Sequence, residues 1–234
     1  MFSSKINMKI YKFIDGKESE IMEIRTRTTR GGLAPEKYLT EQQQRRLLAY
    51  VKAQADIARF RNTTRAIINE MIVMLFLNTG LRARELCDLR LRDLPVTHGK
   101  KMIFVRTGKG KTVRIVEISD RFCKRLEQFI ELYREKAKPA DYLFINERGT
   151  PIQYVSIYSK ITGIGKRAGV AHLHPHVLRH SYLTRLYNVE HDLRFVQDQA
   201  GHKSPVTTAI YAQTDQPARR KQVNAMDNVN LLTE

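Results

Sequence analysis

Residues 200–213 read A-G-H-K-S-P-V-T-T-A-I-Y-A-Q. A glycine precedes His202, Ser204 stands where a helix cap would, and Pro205 takes the first helical position, where a missing N–H is no loss. Tyr211 follows the histidine by nine residues. A tyrosine so placed is either a core aromatic or a nucleophile, because a phenolic oxygen forms covalent intermediates when its neighbours activate it. The residues upstream decide between the two.

Composition sets the class of partner. In 234 residues, 41 Lys and Arg face 24 Asp and Glu, giving a formal charge of +17 and a pI near 10.0. That excess calls for a polyanion, nucleic acid first and an anionic membrane surface second. A hydrophobic content of 42% supports a packed core rather than disorder. No apolar run reaches the length of a membrane span, and residues 1–10 lack the apolar segment of a signal peptide. Cys87 and Cys123 stand far apart, without partners at metal-ligand spacing. A reducing cytoplasm fits them and a disulfide framework does not.

Taken in order, the chain predicts an α+β domain, mainly helical, with a small antiparallel hairpin. Residues 1–36 form a basic arm or linker, with a short strand over 8–14 and Asp15-Gly16 as a turn. That arm is either a solvated tail or a segment lying on phosphates. From residue 37 the chain is regular. Thr40 and Gln43 form a capping box for a first helix, and residues 63–78 form a second that is apolar nearly all round. Thr79-Gly80 breaks it, and residues 81–89 restart a helix on which Arg82 and Glu85 share a face. That pair is either an exposed salt bridge or a guanidinium held out beside free N–H groups to take a phosphate.

Residues 101–106 and 112–118 alternate as a hairpin around Lys109, with Gly108 and Gly110 beside it. A helix follows over 119–137, then a strand over 142–145, a polar turn over 146–150 and a helix over 152–168 weakened by Gly163 and Gly165. His172, His174 and His176 alternate, but no cysteine or carboxylate completes a tetrahedral metal set. In the helix that begins at Pro175, His176 and Arg179 instead share a face as an anion clamp. A last helix over 193–200 leads into the opening stretch.

Four segments now stand together: Thr79-Gly80-Leu81-Arg82 with Glu85-Leu86, Gly108-Lys109-Gly110, His176-Val177-Leu178-Arg179-His180, and Gly201-His202 with Tyr211 nine residues on. In this order they resemble the tyrosine recombinase (phage integrase) family, over residues 38–213. Each is weak alone and the four in sequence are specific. The resemblance implies a tyrosine recombinase catalytic domain over 37–234. It implies a site-specific recombinase or integrase that cuts and rejoins DNA through a 3′-phosphotyrosyl link, for integration, excision or inversion.

It also implies roles. Arg82 and Arg179 would neutralise the scissile phosphate, Tyr211 would attack it, and Lys109 would protonate the leaving oxygen. His176 would assist proton transfer, His202 would donate to the phosphate, and Glu85 would orient its neighbours. Lys111 and Lys203 are further basic side chains expected on DNA. No metal or other cofactor is implied, since the arginines supply the charge that two-metal nucleases take from ions. The implied partners are double-stranded DNA, a homotetramer upon it and DNA-bending helper proteins. The setting is the cytoplasmic nucleoid.

Most relatives carry a helical core-binding domain before the catalytic one, and residues 1–36 are too few for it. The tail over 214–234 either docks on a neighbouring protomer or frays. Two other functions fit the same residues: a type IB topoisomerase, which shares the chemistry, and a non-catalytic DNA-binding regulator or decayed integrase. The Gly-His…Tyr spacing disfavours the first, and a complete set of expected residue types disfavours the second.

Overall fold

A hairpin opens the chain in the computed structural model, which describes residues 7–14, 17–25, 37–107, 112–202, 205, 207 and 208. Its strands, β1 (Asn7–Ile14) and β2 (Lys17–Arg25), pair antiparallel from Asn7↔Arg25 to Ile14↔Lys17. The return strand escapes a period-two reading because the register shifts between Ile10 and Tyr11, which breaks the alternation. This hairpin belongs to a unit over residues 1–32, separate from the body that begins at Leu33.

The body is mainly helical. Its elements are α1 (Glu41–Phe60), α2 (Arg65–Thr79), α3 (Ala83–Asp88), α4 (Pro95–His98), the hairpin β3 (Met102–Thr107) and β4 (Thr112–Glu117), α5 (Asp120–Arg134), α6 (Tyr154–Arg167), α7 (Pro175–Glu190) and α8 (Leu193–Ala200). The predicted capping box starts α1: Thr40 Oγ1 accepts from Gln43 N at 3.2 Å, and Gln43 Oε1 from Thr40 N at 2.9 Å. Helix α2 is the centre, packed against α1, α5 and α7. Its Ile72, Leu75 and Phe76 are wholly buried, each stabilising the fold by roughly 2 kcal/mol.

Gly80 ends α2 in the left-handed region, at φ 61°. A Cβ there would lie 2.5 Å from Tyr182 Cδ1 on α7. Gly80→Ala is therefore expected to lower stability by about 2 kcal/mol or more, from backbone strain and overpacking together. A lower urea midpoint at unchanged slope is the check.

One sequence expectation changes. The strand over 142–145 is reduced to isolated bridges, Arg90↔Tyr142 and Ile145↔Pro151. Its partner segment turns at once into a 3₁₀ turn, Leu91–Asp93, so no ladder extends. Helix α6 forms where the sequence places it, with its glycines inside it. Gly165 is buried where a Cβ would meet Leu173 Cβ at 2.4 Å, so the glycine serves close approach.

Candidate active site

Three guanidinium groups meet at the end of α8. That helix starts at Asp192, whose Oδ1 accepts from Arg194 N and Phe195 N, and it ends at Gly201, φ 63°. The last carbonyls of a helix have no partner within it and carry the negative end of its dipole. Here three consecutive ones each take a different arginine. Gln199 O accepts from Arg114 Nε at 3.3 Å, Ala200 O from Arg179 Nη2 at 2.7 Å, and Gly201 O from Arg82 Nη2 at 3.1 Å.

Arg82 sits at the cap of α3, one residue before its first turn. Glu85, three residues on, accepts from Arg82 N at 2.7 Å and from Arg82 Nη1 at 2.9 Å. The ion pair of the sequence reading therefore exists, but it is not a surface pair. Glu85 is buried, while the Arg82 side chain keeps 40% of its surface. Burial opposes ionisation of Glu85; Arg114 and then Arg82 overcome it and hold the carboxyl below its ordinary range. Arg82 thus has one side fixed and one side open to an anion.

Arg179 reaches inward from α7, and the whole residue is only 4% exposed. Its Nη1 donates to Gly80 O at 2.5 Å, so the turn that ends α2 also seats this arginine. Its Nη2 also lies 3.1 Å from His202 Nε2. Arginine has no acceptor, so Nε2 must accept, and the proton of a neutral ring sits on Nδ1. Nδ1 then donates to Thr208 Oγ1, 3.1 Å away, on a buried threonine three positions before Tyr211.

Burial, then Arg179 and Arg82, push the His202 imidazole down to about 4. His180 is likewise pushed down to about 4, by burial and Arg179. Both rings titrate near 6.5 in the unfolded chain, which therefore binds more protons between pH 4 and 6.5. Stability is expected to hold above pH 6.5 and to fall as pH drops toward 4. The fall in thermal midpoint across that window should be shallower in His202→Gln, the His180 share remaining, and an unchanged pH slope would show that His202 does not titrate as described.

His176 lies in the first turn of α7, exposed, with its ring edge-on to His174 at a centroid distance of 6.1 Å. It and Arg179 share a helix face but stand at different depths. Lys109, Lys111, Lys203 and Tyr211 lie outside the described residues. Among the described residues no three His, Cys, Asp or Glu side chains gather as a metal site.

Arg114 is the site residue that motif reading missed. A signal was present: in β4 it occupies the same parity as Val116 and Ile118, which are buried, whereas Val113 and Ile115 face outward. A charged residue in register with core positions marks a buried ion pair.

Residues 37–217 match the phage integrase family. The chain belongs to that family. It is 39% identical over 148 residues to the tyrosine recombinase XerC of Lactobacillus leichmannii, covering 61% of this chain and 49% of that protein. The chain spans about half the length of the curated relatives it matches. The crystal structure of the XerA recombinase superposes with a TM-score of 0.65 at 30% identity, over 81% of this chain and 64% of that one. The XerH site-specific recombinase bound to its difH substrate, a pre-cleavage complex, gives 0.61 at 26%, over 77% and 51%. The fold is that of a tyrosine recombinase catalytic domain, mainly helical with a small antiparallel sheet. Among the described residues, no helix is long and apolar enough to cross a membrane.

Proposed function

We propose that this chain is a site-specific DNA recombinase that breaks and rejoins strands through a covalent bond between Tyr211 and a 3′-phosphate. One observation carries the proposal: Arg82, Arg114 and Arg179 converge on three successive carbonyls, with His202 beside them and Glu85 as the carboxylate among them. Such a cluster holds more positive charge than its neighbours neutralise, and its guanidinium groups are fixed in place by the carbonyls that accept from them. It favours an anion whose charge grows during reaction. A phosphodiester passing through a five-coordinate phosphorus is such an anion.

In this scheme the Tyr211 oxygen attacks phosphorus, with His176 assisting removal of its proton. Arg82 and Arg179 hold the non-bridging oxygens, and Lys109 gives a proton to the departing 5′-oxygen. The new phosphotyrosyl ester keeps the energy of the broken ester, so a second 5′-hydroxyl can reverse the step without ATP. The charge of +17 supports a DNA partner, and the XerH complex shows a relative on its own DNA substrate. A tetramer on paired duplexes, helper proteins that bend DNA and a nucleoid setting complete the proposal.

A covalent trap tests it. The protein is incubated with nicked suicide duplexes taken from the DNA flanking its own coding sequence, whose short cut strand diffuses away after cleavage. A protease-sensitive protein–DNA band on a denaturing gel is expected. Duplex binding with no such band on any of these duplexes would leave a DNA-binding protein and remove the enzyme.

A further inference from the structure

Arg114 has no step in the scheme above, yet it joins the parts that do. It stands on the inner face of β4, opposite Val105 of β3. Its Nη1 lies 2.7 Å from Glu85 Oε1 and its Nη2 3.0 Å from Glu85 Oε2, a two-pronged bond across a buried carboxylate. Its Nε is 3.3 Å from Gln199 O. The side chain also lies across Gly201, where an added Cβ would come within 2.6 Å of Arg114 Cδ and 2.8 Å of Nε. One guanidinium thus ties β4 to α3 and to the end of α8. These segments adjoin residues 108–111, Arg82 and His202 in the chain.

The two arginines on Glu85 differ in what they leave free. Arg82 keeps 40% of its side-chain surface, whereas Arg114 keeps 14% and has all three guanidinium nitrogens bonded within the protein. Arg114 is therefore spent on the protein, and Arg82 is left with surface for a ligand. We infer that Arg114 is a positioning residue for the Arg82–Arg179–His202 site: it takes up the Glu85 charge so that Arg82 remains open to phosphate, and it clamps the Gly201–His202 turn against the hairpin. The inference rests on the strand-cleavage reading for its effect on rate, but not for its effect on the turn. Without Arg114, Glu85 keeps a buried charge with Arg82 as its partner, and Arg82 is drawn inward.

The test compares Arg114→Met, Arg114→Lys and the double variant Arg114→Met/Glu85→Gln with the wild type. On a duplex that the wild type cleaves, adduct formation by Arg114→Met should slow by about 100-fold, the effect of a small misplacement of reacting groups, with duplex affinity changed less than about 3-fold. Arg114→Lys should stay slow, because an ammonium cannot bridge both carboxylate oxygens. The double variant should regain at least about 10-fold, because the uncompensated buried charge is gone. A slow Arg114→Met that Glu85→Gln does not rescue overturns the inference, as does an equal loss of rate and affinity, or no loss of rate. Amide exchange on the DNA-free protein separates the two readings. Gly201 and His202 amides should exchange faster in Arg114→Met while those of α2 keep their wild-type protection. If the wild type forms no adduct, the cleavage reading falls by itself and exchange alone decides: protection unchanged at Gly201 and His202, or lost equally in α2, overturns the clamp.

Discussion

Arg179→Ala is expected to slow formation of the covalent DNA adduct by roughly 1000-fold, the upper range for removing one preorganised donor, while duplex affinity falls less than about 10-fold. The asymmetry follows from where the side chain sits. Arg179 is buried and already held by Gly80 O and Ala200 O, so a phosphate meets a guanidinium that needs little rearrangement. Preorganised donors act most strongly where charge develops, which is the reacting phosphorus and not the rest of the duplex. The many other basic residues supply binding along the backbone, and their contribution survives the substitution. Removing Arg179 also leaves two carbonyls and His202 Nε2 without this donor, so a lower thermal midpoint accompanies the change. Arg179→Lys keeps the charge and loses the fork. It should bind DNA as the wild type does and remain far slower in cleavage. A single-turnover time course set beside an anisotropy titration decides the matter: equal losses in rate and affinity would make Arg179 a phosphate anchor only.

Much of this site was legible in the sequence, and its limits have physical causes. Apolar stripes and caps announce α1 and α5, near-continuous apolarity announces α2, and Pro175 at a first helical position announces α7, because each leaves a local pattern. Arg82 and Glu85 show their pairing at a spacing of three. Burial of Glu85 is not legible, because it depends on Arg114, which lies 29 positions along the chain and is brought close by the hairpin. The convergence at α8 has the same origin. Arg82 and Gly201 are 119 positions apart, and Arg179 and Gly80 are 99 apart. Motif order places these residues in one family; only the fold shows that backbone carbonyls, besides the Glu85 carboxylate, hold the guanidinium groups in place. The fate of 142–145 was lost for a related reason, since a strand needs a partner that stays extended. The tautomer of His202 needs two distances that no spacing contains.

Tyr211→Phe should abolish the covalent adduct and leave duplex affinity within about 3-fold, since one hydroxyl is removed and no phosphate contact depends on it. The substitution keeps the ring. What it removes is the only atom of that side chain able to attack phosphorus. The buried tyrosines near the site by fold do not stand in for it. Tyr182 on α7 is buried, and burial pushes its phenol up to about 12, so it resists the loss of its proton that attack requires. Tyr187 is also buried against the α7–α8 cluster. Tyr154 and Tyr158 are exposed on α6, where Tyr158 stacks on His174 at 6.1 Å. They are the phenols open to solvent next to the histidine run. An adduct that persists in Tyr211→Phe and disappears in Tyr158→Phe would therefore move the nucleophile to α6 and detach it from His202. An adduct lost in Tyr211→Phe alone would tie the nucleophile to the segment that Thr208 joins to His202. The arginine cluster at the end of α8 would then serve a tyrosine eleven residues beyond that helix end.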